Sequence, residues 1–137
     1  MPLYGLVSSL GESAEVIISP EGLRKVLNRV HKDYGVSETI ITENGFNKSD
    51  DAVVNGAVDD EPRIEFLRNH VSAVHDAISD GCNVKGFCAW TFMDNFEWSH
   101  GFNMRFGLVH VDYSTQKRTL KNSAKWYSAC AKANACL

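Results

Sequence analysis

Two short runs, ETIITENG (residues 38–45) and NVKGFCAW (residues 83–90), stand on either side of a long helical stripe, and this arrangement narrows the possible folds most. The stripe extends from about Pro62 to Asp80, with Ile64, Leu67, Val71, Val74 and Ile78 stepping by three and four, the spacing that lines one face of an α-helix. Each flanking run is short, apolar or β-branched and bounded by turn residues, which predicts a buried strand. Upstream, Ser19-Pro20-Glu21 reads as a helix start, with a capping serine, proline at the first helical position and an acid near the positive end of the dipole. Leu23, Val26, Leu27 and Val30 continue that helix, and Gly35 stops it. Downstream, FGLVHVDY (106–113) predicts a short extended piece. Residues from Lys121 to about Ala135 predict a last helix with Leu120, Ala124, Tyr127 and Ala131 on one side.

The resulting order is helix, strand, helix, strand, loop, helix, an α/β pattern of parallel strands covered by helices. Two strands do not make a stable sheet by themselves, and a closed eight-stranded barrel needs about 200 residues or more. With 137 residues, the chain reads as an incomplete barrel whose unpaired edges favour aggregation. A small unrelated α/β domain would need further strands from residues 1–18 and 106–113.

Charge excludes several classes. A net charge of −3 and a pI near 5.9, with no Lys/Arg cluster, argue against nucleic acid as a partner. No apolar run approaches the roughly 18 residues that cross a bilayer, so no membrane partner is expected. The first residues lack the basic start and apolar stretch of a signal peptide, and the compartment stays unassigned. Cys82, Cys88, Cys130 and Cys136 follow no ligand spacing, and His31, His70, His75, His100 and His110 form none. No metal or cofactor is therefore expected. Free, partly buried thiols are favoured over a Cys130–Cys136 disulfide. The sequon Asn47-Lys48-Ser49 matters only in a secreted protein.

Residues 86–113 hold eight of the fourteen aromatic side chains, interleaved with Asp94, Glu97, Arg105 and Asp112. Both strands end on groups suited to a cleft, Glu43 and Trp90, and functional groups gather at the carboxyl ends of parallel strands. Glu43 fits a nucleophile or a general acid or base; position alone favours a plain strand-end carboxylate, solvated or paired with a nearby arginine. Trp90 and Trp98 offer apolar faces and N–H donors to an amphipathic ligand such as a sugar, against the plainer reading of core packing. Arg105 fits either support for a site carboxylate or a structural pair with Asp94 or Asp112. Of the histidines, His100 lies nearest the cleft. Chemistry alone pairs Glu43 with Glu97 as the two carboxylates of a glycosidase.

IITENGF (40–46) and GFCAWTFMDNFEWSHGFNMRFGLVHVDY (86–113), with SPEGLRKVL (19–27) before and KRTLKNSAKWY (117–127) after, closely resemble the C-terminal part of glycoside hydrolase family 1, the β-glucosidase family. The resemblance implies the C-terminal part of a (β/α)8 TIM barrel, about its seventh and eighth strands, spanning residues 19–137. Residues 1–18 are then a divergent or truncated N-terminal segment. By motif, Glu43 matches the catalytic nucleophile of a retaining β-glycosidase, Trp90 the aromatic floor of the sugar site, and Glu97 and Trp98 residues that hydrogen-bond sugar hydroxyls. Glu97 thereby changes from a catalytic partner to a binding residue. A carboxylate at position 97 implies an unphosphorylated β-linked hexoside, a β-glucoside or β-galactoside, because members acting on 6-phosphorylated sugars usually carry a small residue there. The family's NEP-like acid/base motif does not occur in this chain, nor do its upstream sugar-binding motifs. The resemblance therefore implies either an enzyme whose missing barrel half supplies the acid, or a non-catalytic remnant that binds sugar weakly or complements a barrel. Leu120 and Asn122 replace the proline and aspartate common in the family, a difference at the start of the last helix.

Overall fold

The computed structural model describes residues 17–47 and 52–137. Most of the segment 1–18 and the Lys48-Ser49 part of the sequon lie outside the described residues. The first helix, α1, is Pro20–Tyr34. Its start follows local chemistry: Ser19 Oγ accepts from the Gly22 N–H at 3.0 Å, and Pro20 occupies the first turn. Gly35 ends it with φ 64°, donating its N–H to Val30 O, a left-handed cap that glycine adopts at little cost. Strand β1 is Thr39–Gly45 and β2 is Val84–Trp90, with α2, Glu61–Ser79, between them. The two strands pair in parallel, Ile40 opposite Gly86, Ile41 opposite Phe87 and Gly45 opposite Trp90.

Helix α2 covers one face of this pair. Leu27, Val74, Ala77 and Cys82 form the core, and Ile41, Val84 and Phe87 pack on it from the strands. Several expected core positions are open instead. Val26 in α1 is 58% exposed, and Ile78 in α2 is 46% exposed. The buried face of α2 is rotated so that Arg63, His70, Ala73 and Ala77 join Ile64, Leu67 and Val74. The expected burial of strand β1 is a correction: none of its residues is fully buried, Ile41 on the helix side being half-buried and Ile40 on the other face 58% exposed. Among the described residues the barrel is not closed, so nothing covers that face.

After β2 the chain crosses a loop with a short 3-10 turn at Trp98–His100, then forms β3, Val109–Val111, and β4, Arg118–Leu120, before the last helix, α3, Asn122–Ala133. Strands β3 and β4 pair antiparallel, Val109 opposite Leu120 and Val111 opposite Arg118. The expected extended piece is β3. Strand β4 is a correction: Leu120, placed by periodicity on the last helix, lies in the hairpin and is 57% exposed.

A buried charge cluster fastens these pieces. Asp60 and Arg63 are 0% and 1% exposed and paired. The Asp60 carboxylate also accepts from the Ser123 backbone N–H at 2.9 Å and the Ser123 hydroxyl at 2.5 Å. Lys121, immediately before α3, makes no side-chain cap, so the start of α3 is satisfied by a residue just ahead of α2. All four cysteines are free, Cys82 and Cys130 buried, Cys88 exposed and Cys136 partly so.

Candidate active site at the strand ends

Glu43 lies where the β1–β2 register is irregular, between Ile41 and Asn44, and its side chain is exposed. Two residues on, Gly45 meets the end of β2 so closely that a Cβ there would stand 2.0 Å from Trp90 O. The two strand ends are thus in backbone contact, and the loop that begins at Trp90 starts beside the Glu43 segment. The Trp90–Thr91 peptide is cis.

Glu97 is brought back over these ends by the loop. Its N–H donates to Gly101 O at 2.7 Å, while its own carbonyl accepts from His100 N at 2.9 Å. This tight turn holds Trp98 at φ 48°, a left-handed conformation that costs about 1–2 kcal/mol for a residue with a side chain. Trp98 is thereby turned outward, 82% exposed, whereas Glu97 is 6% exposed.

The Glu97 carboxyl is the electrostatic focus. Burial pushes its pKa above the usual range; the Trp90 indole, as a hydrogen-bond donor, pulls it down, and the negative charges of Glu43 and Asp94 push it up. His100 acts in the opposite sense. Glu43, Trp90 and Glu97 therefore share one neighbourhood. Glu97 Oε1, within it, and Oδ1 of Asn44, the residue after Glu43, are buried oxygens with no hydrogen-bond partner among the described residues. Buried acceptors are normally satisfied, so exceptions of this kind call for a donor. A ligand rich in hydroxyls, with an apolar face for the Trp90 and Trp98 rings, has the chemistry to supply it.

Asp94 lies in the same loop but is committed elsewhere. Its carboxylate accepts from Arg105 Nη1 at 2.7 Å and Lys121 Nζ at 3.0 Å, and from the Gly107 and Val111 N–H groups at 3.0 and 3.3 Å. Of the two readings of Arg105, the structure takes the structural pair, with Asp94; its guanidinium also stacks over the Tyr113 ring, 4.5 Å from the centroid. Asp112 instead caps its own turn, accepting from Ser114 and Thr115 N–H groups at 3.0 and 3.2 Å. Asn44 was hidden in the sequence by its place in an apparent Asn-Gly turn, and Lys121 by its place at a helix start. A separate concavity of about 380 Å³, lined by Val74, Ile78, Phe87 and Tyr127 among others, lies on the helix side and includes none of the strand-end residues.

Carboxylates and indoles thus gather at and beyond the carboxyl ends of two adjacent parallel strands. The solved β-glucosidase of Thermotoga maritima in complex with isofagomine lactam superposes with a TM-score of 0.86 at 43% identity, covering 93% of this chain and 29% of that one. The family described as "Glycosyl hydrolase family 1" matches residues 8–136, and the chain belongs to it. A β-glucosidase of Agrobacterium sp. is 50% identical over 111 residues, covering 80% of this chain and 24% of that protein. A 6-phospho-β-galactosidase of Streptococcus equi subsp. zooepidemicus is 44% identical over 116 residues, covering 84% of this chain and 24% of that protein. The chain spans about a quarter of the length of these curated relatives.

Proposed function

We propose that residues 19–137 are the C-terminal part of a barrel domain and carry the nucleophile and sugar-binding side of a retaining β-glycosidase. The substrate is an unphosphorylated β-linked hexoside, a β-glucoside or β-galactoside. The observation that carries this reading is the buried, unpartnered Glu97 Oε1 beside Trp90 and within the field of Glu43. In this assignment a Glu43 oxygen attacks the anomeric carbon, the bond to the leaving-group oxygen breaks, and that oxygen takes a proton from an acid. Water later attacks the same carbon, gives its proton to the conjugate base of that acid, and frees Glu43. Trp90 lies under the sugar ring, while Glu97 and the Trp98 indole hold its hydroxyls. The names of the 6-phospho-β-galactosidase relatives raise phosphorylated sugars as a competing substrate class. Two neighbouring carboxylates favour a neutral sugar over a phosphate.

A second reading, a non-catalytic module that binds sugar weakly or complements a barrel, is favoured by the commitment of Asp94 to two cations and two N–H groups. Asp94 is thereby taken up by structural contacts, and the retaining mechanism needs a second carboxyl about 5–5.5 Å from the nucleophile. The proton donor is assigned to the missing barrel half.

A 2-fluoro-β-glucoside with an activated leaving group separates these readings, because such a group departs without protonation. Mass spectrometry is expected to find the sugar on Glu43, and Glu43→Gln to abolish labelling. Labelling on another residue would overturn the nucleophile assignment. Glu97→Ala is expected to weaken glucoside binding about 10- to 100-fold, the worth of a hydrogen bond to a charged group. Competition by a 6-phosphoglucoside as strong as by the neutral sugar would remove the substrate assignment. Turnover of a chromogenic β-glucoside by the purified chain, orders of magnitude above buffer, would exclude the module reading.

A further inference from the structure

Arg63 is a fully buried cation on the first turn of α2, and its guanidinium reaches three separate parts of the chain. One edge pairs with Asp60. Nε donates to Phe46 O at 3.1 Å, three residues beyond Glu43, and Nη2 donates to Arg105 O at 2.7 Å. Arg105 in turn holds Asp94, in the loop between Trp90 and Glu97. The next carbonyl, Phe106 O, accepts from Thr91 N at 3.2 Å, and Leu108 N donates to Thr91 O at 2.9 Å. One side chain therefore joins the exit of β1 to the segment that returns against the exit of β2.

We infer that Arg63 is a positioning residue, whose bonds to the carbonyls of Phe46 and Arg105 set the spacing between Glu43 and the loop bearing Glu97. The inference rests on the sugar-site reading for its functional meaning, but its geometry is independent of it. A lysine retains the charge for Asp60 but has one nitrogen, which cannot span two carbonyls in a planar fork. Arg63→Lys thus separates positioning from charge burial.

The test compares Arg63→Lys with Leu67→Ala, a core truncation on the same helix at a side chain that has no donor for either carbonyl. Amide hydrogen exchange at Thr91 and Leu108, taken as a ratio to amides in the middle of α1, is expected to rise at least tenfold in Arg63→Lys and to stay near the native ratio in Leu67→Ala. If Arg63→Lys does not fold, the double variant Asp60→Asn with Arg63→Gln removes both buried charges together and is read in the same way. An unchanged ratio in the Arg63 variant, or an equal rise in Leu67→Ala, would overturn the inference. Deoxynojirimycin titration followed by tryptophan fluorescence adds the functional arm. Its dissociation constant is expected to rise at least tenfold in the Arg63 variant and not in Leu67→Ala; an unchanged constant counts against positioning. Absence of binding by the unsubstituted chain would sink the sugar-site reading, while the exchange ratio would still decide whether Arg63 positions the loops.

Discussion

At the scale of single residues, the buried Glu97 carboxyl is held at a cost to stability. Its carboxyl is buried, has one unpartnered oxygen and has a raised pKa. The folded state therefore binds this proton more tightly than the unfolded state. Stability contributed by the protonated form is present below the unfolded carboxyl pKa and is lost as pH rises through the folded one. Glu97→Gln removes the ionisation but leaves a polar side chain of the same shape. The melting temperature is accordingly expected to rise relative to the unsubstituted chain at pH 7 and to differ little at pH 4. Thermal denaturation at the two pH values checks this, and an equal shift at both would refute the ionisation argument. Gly45 carries the opposite constraint. A methyl group there would meet Trp90 O at 2.0 Å, so Gly45→Ala is expected to cost on the order of 3 kcal/mol, as overpacking against fixed backbone does. Urea denaturation would measure it.

At the scale of elements, Asp80 ties α1 to the end of α2. Asp80 accepts from Arg24 Nε and Nη2 at 2.8 and 2.9 Å and from Asn28 Nδ2 at 2.7 Å. These donors, Arg24 first, hold its pKa down at about 2. A depressed carboxylate contributes stability that is present above its unfolded pKa and lost as pH falls through the folded one. Asp80→Asn is expected to flatten the loss of stability between about pH 4 and pH 2, and a denaturation series across that window checks it. The two ends of α1 were legible in the sequence because Ser19, Pro20 and Gly35 act on backbone groups within a few residues. Strand β4 was not, since Arg118–Leu120 becomes a strand only by pairing with β3. Arg63 was equally opaque. An arginine beside Ile64 reads as a solvated helix residue until the carbonyls of Phe46 and Arg105, from two separate loops, converge on it. The candidate site was legible as a motif and as strand ends. The depth of Glu97 and the commitment of Asp94 depend on how the loop after Trp90 folds back, which no local pattern encodes.

At the scale of the whole molecule, one face of the β1–β2 pair and the loop beyond it stay open. Ile40, Phe92, Phe96, Trp98 and Phe102 are each more than half exposed, from 54% to 82%. Apolar surface of this extent marks an interface or an aggregation hazard, and two paired strands leave ladder groups free on both sides. The purified chain is expected to bind a hydrophobic dye strongly and to self-associate with rising concentration. A monodisperse monomer with low dye binding in light scattering and fluorescence would contradict this. The Asp60–Ser123 contact has a further bearing on the order in which the molecule is assembled. Because the amide at the head of α3 is received by a carboxylate 63 positions earlier, the closing helix gains its cap only once that distant stretch has arrived. A synthetic peptide of residues 117–137 should accordingly remain coil in water, and on the ribosome the chain's final turns should be the last to acquire helicity.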